Sequence, residues 1–208
     1  MTAAASFSRR ALLGAVAASL ALPLRAAQPG LFGAAPGVDP RLLADAMAAL
    51  QRHNGAFWSR DVVAVADFGM PSAVPRFHLI DLLAGTTESV RVTHGKGSDP
   101  DHTGLLQGFS DLPGSNATAA GAYLTGAAYV GAHGPSRRLI GLDPGNRNAA
   151  PRAIVMHAAW YAEPDVAARQ GKLGRSDGCF AFAAADMARL LARMGPGRLL
   201  YAGRAGQS

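Results

Sequence analysis

The segment Gly174-Arg175-Ser176-Asp177-Gly178-Cys179-Phe180 holds the single cysteine of the chain. A thiol among small residues, with glycine directly before it, suits a nucleophile whose backbone must also approach a substrate closely. The competing reading is a free cysteine packed as a small hydrophobe. With a pKa of about 8.5, a thiol is mostly protonated at neutral pH and needs a base to take its proton. His157 follows the run Arg152-Ala153-Ile154-Val155-Met156, which has strand character, and lies 22 residues ahead of Cys179. An imidazole there would accept the thiol proton and return it to a leaving amine, the exchange that acyl transfer requires. The chain has six histidines, so the pairing depends on a fold that brings this strand end to that loop.

Elements able to do so are visible in the residue pattern. Asp39-Pro40 supplies a helix cap and a first-turn proline, and Leu43, Met47 and Leu50 form one apolar stripe ending near Asn54-Gly55. Residues 61–68, 76–82 and 88–94 are short runs with β-type composition, separated by turn residues. In the second run Phe77 and Leu79 alternate with Arg76 and His78. They predict an antiparallel sheet. Residues 95–121 form a polar, glycine-rich stretch of functional-loop type. Strand character resumes at 121–124, 126–130 and 134–142. Residues 160–174 read as irregular, Met187, Leu190, Leu191 and Met194 define a second helix, and 198–202 a last strand. No βαβ pattern or phosphate-cradling glycine loop is apparent, which argues against a nucleotide-binding α/β fold.

The N-terminus is organised differently. Arg9-Arg10 precedes the apolar run Ala11 to Leu24, and small residues follow at Ala26 and Ala27. This is the pattern of an export signal of twin-arginine type over residues 1–27, too short to span a membrane comfortably. A linker over 28–38 and one domain over 39–208 complete the expected organisation, with no stable membrane span after cleavage. Loss of Arg9, Arg10 and Arg25, with no acids alongside them, lowers the formal charge from +6 to +3. That modest balance, without a basic run, argues against a nucleic-acid partner. In an oxidising compartment a lone thiol has no disulfide partner, and alanine or serine would fill its space equally well, which favours a reactive role.

Ser176-Asp177-Gly178-Cys179, with His157 upstream, resembles the Ser-x-Gly-Cys signature of the L,D-transpeptidase catalytic domain, the YkuD-type family. Thr93 to Ser98, Phe109-Ser110-Asp111, Gly121-Ala122-Tyr123, Gly141-Leu142 and Arg152 to His157 extend the similarity to the murein L,D-transpeptidase branch. The resemblance implies a mainly β domain with a few flanking helices, a β-sandwich acting on peptidoglycan stem peptides in the periplasm or cell envelope. It makes Cys179 the nucleophile that forms a thioester and releases a terminal D-amino acid, and His157 the proton carrier oriented by the carbonyl of Ala158. Backbone N–H groups of Gly178 and Cys179 would meet the oxyanion, and Ser176 would support the histidine or substrate. An L,D-carboxypeptidase or endopeptidase, or an impaired wall-binding domain, are the alternatives.

Two departures stand out. Asp177 occupies a position where many members carry His or Arg, and an acid there works against thiol ionisation. The arginine found after the cysteine in many members is replaced by Phe180-Ala181-Phe182, so carboxylate anchoring falls to Arg175 or Arg152. His94 and Tyr123 are further candidates for the substrate groove, and Trp160 and Tyr161 for its wall. The spacing of His94, Asp99, Asp101 and His102 matches no zinc pattern, and neither metal nor cofactor is expected.

Overall fold

The computed structural model describes Met1 and residues 35–205. Apart from Met1, the expected signal segment and the first part of the linker lie outside the described residues. Among the described residues no helix is long and apolar enough to cross a membrane.

Helix α1, Pro40–Arg52, starts where its cap requires: Asp39 Oδ1 accepts from the N–H groups of Arg41 at 2.8 Å and Leu42 at 3.4 Å. Strands β1 (Val62–Asp67), β2 (Phe77–Asp81) and β3 (Thr86–Val90) form the expected antiparallel meander. Then come β4 (Gly121–Gly131), β5 (Gly134–Gly141), β6 (Val155–Ala158), α2 (Pro164–Gln170), β7 (Phe180–Phe182), α3 (Ala184–Arg193) and β8 (Leu199–Gly203). Among the described residues eight strands join one sheet in the order β3-β2-β1-β8-β4-β5-β6-β7. The described residues are therefore mainly β, with three flanking α-helices.

The sheet is folded over on itself. Phe77 of β2 meets Phe182 of β7 edge-to-face, centroids 4.9 Å apart, although β1, β8, β4, β5 and β6 lie between these strands in the hydrogen-bonding order. The Thr93 N–H donates to Ala181 O at 3.0 Å, tying the segment after β3 to β7. Both faces of β1 are consequently covered, and all six of its residues are buried. Val62, Ala64 and Ala66 enter a core with Phe180, Phe182 and Met187. Val63 and Val65 face α1 through Leu42 and Ala46. A strand covered on both sides needs no polar face.

The same geometry corrects the alternation read for β2. Arg76 and His78 are buried with Phe77 and Leu79. Arg76 is admitted because its donors reach Val92 O at 3.0 and 2.9 Å and Met70 O at 2.8 Å, as a buried charge must be bonded to be tolerated. His78 Nδ1 lies 2.8 Å from Ser89 Oγ.

A larger correction concerns 160–174. This stretch contains α2, with Pro164 in its first turn and Gly171 in the left-handed conformation at its C-terminus (φ 69°). α2 carries the chain from β6 to β7, which pair in parallel with Met156 opposite Phe180 and His157 opposite Ala181. A β-α-β crossover is therefore present, and it joins β6, which carries His157, to β7, which directly follows Cys179. β8 also lies centrally, parallel to β1 and antiparallel to β4.

Candidate active site

The turn before Cys179 is held from below. Ser176 N–H donates to His94 O at 3.0 Å, and Lys96 N–H donates to Ser176 O at 2.8 Å. Ser176 Oγ accepts from the Gly178 N–H at 3.1 Å and donates to Cys179 O at 2.7 Å, closing the loop around its own hydroxyl. Gly178 has φ +113°, and a Cβ there would stand 2.7 Å from Ala117 O, 2.8 Å from Ile154 Cδ1 and 3.0 Å from Arg152 Nη2. Conformation and close packing both demand glycine. The Gly178 N–H is engaged with Ser176, which differs from the reading of that group as an oxyanion donor.

Parallel pairing of β6 with β7 places His157 opposite Ala181, two residues past Cys179. Met156, Phe180 and Phe182 point into the core, so by strand alternation His157 and Ala181 take the opposite face, and Cys179 directly precedes β7. His157 Nδ1 lies 2.9 Å from Ala158 O. A carbonyl only accepts, so Nδ1 carries the proton and Nε2 keeps its lone pair. Burial pushes the imidazole pKa below its usual value; the Ala158 bond opposes this and His133 adds to it. The His133 ring, from the turn between β4 and β5, stacks on His157 at 4.3 Å and 23°.

Cys179 Sγ lies 3.5 Å from Ala153 O, and Ala153 has φ +53°, a conformation uncommon for alanine. Burial raises the thiol pKa; the Val155 N–H lowers it, Asp177 raises it and Arg152 lowers it. Both shifts favour the uncharged forms, thiol and neutral imidazole. Concavities of about 270 Å³, edged by Asn116, Pro151, Arg152 and Asp177, and about 130 Å³, edged by Gly126, Arg138, Ala153 and Val155, adjoin the 150–155 segment.

The remaining sequence-selected residues divide between rim and support. Asp177 is exposed and pairs with Lys96 Nζ at 2.9 Å. Arg175 Nη1 donates to Asp99 O and, at 2.9 Å, to Pro100 O. Arg152 Nη1 donates to Ser110 O at 2.8 Å, Nη2 donates to Ala117 O, and Asp111 lies 3.7 Å away. Its guanidinium thus secures the 110–117 segment against the Cys179 turn. Tyr123 is not on a groove wall: it is fully buried against Phe180, its hydroxyl donating to Ala119 O at 2.7 Å.

His94 is likewise neither a cleft residue nor a solvated one. It is 1% exposed, with Nδ1 2.8 Å from Arg76 Nη2 and Nε2 3.1 Å from Asp99 Oδ2. Since arginine only donates, Nδ1 accepts and the Nε2 proton goes to Asp99. Tyr161 and Trp160 form an edge-to-face pair, with Trp160 exposed. The Tyr161 hydroxyl is raised to about 12 by burial, then by Cys179 and Asp177. His133, Ala153 and Lys96 carry no role legible in the sequence. Only the histidine type of His133 marks it as capable of chemistry, and nothing local links it to His157.

A family model for the L,D-transpeptidase catalytic domain, YkuD_2, matches residues 34–202, and the chain belongs to that family. Among solved structures, an L,D-transpeptidase from Mycobacterium smegmatis is similar at 15% identity, covering 69% of this chain and 58% of that one, with a TM-score of 0.42. LD transpeptidase LdtMt1 in complex with imipenem is similar at 13% identity, covering 69% and 59%, with a TM-score of 0.41. The L,D-transpeptidase from Xylanimonas cellulosilytica is similar at 14% identity, covering 70% and 61%, with a TM-score of 0.41. The chain spans about three fifths of the length of these structures. No curated protein matches.

Proposed function

We propose that this chain is an exported cysteine acyltransferase that cross-links peptidoglycan stem peptides by L,D-transpeptidation. Family membership supports the reaction class. The observation that carries the residue assignment is the His157 Nδ1 to Ala158 O bond, which leaves the Nε2 lone pair as a base on β6, the strand paired with the one that directly follows Cys179. Export rests on residues 1–27 and assigns the protein to the periplasm or cell envelope.

Cys179 Sγ attacks the carbonyl preceding a terminal D-residue while His157 Nε2 takes the thiol proton. The new C–S bond forms and the carbonyl electrons move to oxygen, where the Cys179 N–H meets the oxyanion. Collapse breaks the C–N bond, and His157 returns its proton to the departing amine. An acceptor amine then attacks the thioester, passes its proton to His157, and releases Cys179 as thiol. A neutral starting pair suits this route because proton and electron pair move together and no isolated thiolate is held in a partly buried site. The guanidinium of Arg175, bonded through Nη1 to Asp99 O and Pro100 O, is the candidate grip for substrate carboxylates, since Arg152 is bonded through both Nη1 and Nη2 to the 110–117 segment.

Mass spectrometry of tetrapeptide-bearing muropeptides incubated with the mature protein tests the reading. Dimers or exchange of the terminal D-residue are expected. Release of that residue without transfer would make the protein an L,D-carboxypeptidase, and unchanged substrate would contradict enzymatic function.

A further inference from the structure

The β4–β5 hairpin is built to carry its tip to one place. Its ladder shifts register between Thr125 and Ala128, an irregularity that bends a strand and re-aims its outer half. Beyond the shift the hairpin is braced by its own residues: the Arg138 guanidinium lies over the Tyr129 ring at 4.4 Å, and Ser136 Oγ donates to Gly134 O at 2.9 Å. Arg137 Nη1 donates to Gly126 O at 2.7 Å and Nη2 to Leu191 O at 3.2 Å, anchoring the hairpin to the end of α3. Gly131 pairs with Gly134, and the two-residue turn between them presents His133. β5 also pairs with β6 through Arg137 and Met156, adjacent to His157.

His157 itself is incompletely fixed by its one hydrogen bond. The contact to Ala158 O holds Nδ1 but leaves the ring able to tilt about that point. A ring stacked at 4.3 Å and 23° opposes that tilt and covers the imidazole face. His133 is exposed while His157 is 2% exposed, so the outer ring acts as a cover for the inner one.

We propose that His133 is a positioning residue, an aromatic plate that holds the His157 ring in the orientation from which Nε2 serves Cys179. The inference rests on the transpeptidase reading for its substrate, but not for its geometry. His133 also lowers the His157 pKa, which opposes uptake of the thiol proton and favours its return to the leaving amine, so the positioning role rests on the stack alone.

The test compares wild type, His133→Ala and His133→Phe in the full mature chain, reading D-residue release from tetrapeptide muropeptides and, separately, alkylation of Cys179 by iodoacetamide at pH 7. His133→Ala is expected to lower kcat by about ten- to a hundredfold with KM within about twofold, and to slow alkylation in parallel, as a small misplacement of a reacting group does. His133→Phe, which restores the plate without its nitrogens, is expected to recover both rates to within about threefold of wild type. Wild-type rates in His133→Ala, or a Phe variant as slow as Ala, would overturn the proposal. Alkylation that falls with Ala and recovers with Phe in a chain that leaves muropeptides untouched would uphold the positioning role and refute the transpeptidase reading alone.

Discussion

Lys96 Nζ stands 2.9 Å from Asp177 Oδ1, on the rim of the turn that presents Cys179. This pair answers the difficulty posed by an acid two residues before the thiol. Asp177 raises the Cys179 pKa, and the ammonium beside it offsets part of that field. Both side chains are more than half exposed, so solvent and salt weaken the effect. Lys96→Ala should therefore raise the thiol pKa, and Asp177→Asn should lower it. Iodoacetamide alkylation followed against pH will show the two shifts in opposite directions, shrinking at high salt. Shifts of the same sign would contradict the pairing.

The buried Arg76–His94–Asp99 cluster predicts sensitivity to mild acid. Burial, reinforced by Arg76, lowers the His94 pKa to about 4. Burial pushes the Asp99 carboxyl up, but bonds from the Thr103 and Gly104 N–H groups and from His94 outweigh it and bring the pKa down to about 2. Each folded-state pKa lies below its unfolded value, so the unfolded chain binds more protons as pH falls. His94 contributes stability above about pH 6.5 that is lost toward about pH 4. Asp99 adds a second loss as pH falls below its ordinary carboxylate range toward 2. His78 and His157, both lowered chiefly by burial, act in the same direction, their contribution falling as pH drops below about 6.5. Urea midpoints should fall between pH 6.5 and 4, and His94→Asn should reduce that slope while lowering stability at pH 7.

Gly178→Ala should damage both fold and site. The new methyl meets Ala117 O, Ile154 and Arg152 in a backbone conformation that alanine rarely adopts. A cost of about 1–3 kcal/mol for the strained φ alone is expected. Thermal unfolding should show a lower midpoint, and Cys179 alkylation should change in rate because the adjoining turn must shift. An unaltered midpoint would argue against the close packing of Gly178 on Ala117.

Much of this architecture is legible in the residues because its signals are local. The Asp39 cap, the Leu43 stripe, each single strand of the β1–β3 meander and the apolar face of α3 declare themselves within about a dozen residues. What is hidden depends on distant chain. β7 has only three residues, too few for a period, and its strand identity comes from β6. Arg76 and His78 read as solvent-facing because nothing local reveals that Val92, Met70 and Ser89 will bond them inside. His157 and Cys179 are recognisable from type and order. The stack of His133 on His157 requires the bent hairpin, which no spacing announces. α2 spans only two turns, too short for an apolar stripe to show, although Pro164 and Gly171 mark its two ends.

The central claim is that Cys179 carries the acyl group and His157 moves its proton. Intact-protein mass spectrometry after rapid mixing with a tetrapeptide donor, followed by peptide mapping, tests it most directly. The wild-type chain should gain the mass of the donor less that of the released D-amino acid, on the peptide containing Cys179, and Cys179→Ala should gain none. His157→Ala should form the adduct about 10²- to 10⁴-fold more slowly, the range expected for loss of a general base. An adduct on another residue, or one that persists in Cys179→Ala, would contradict the account.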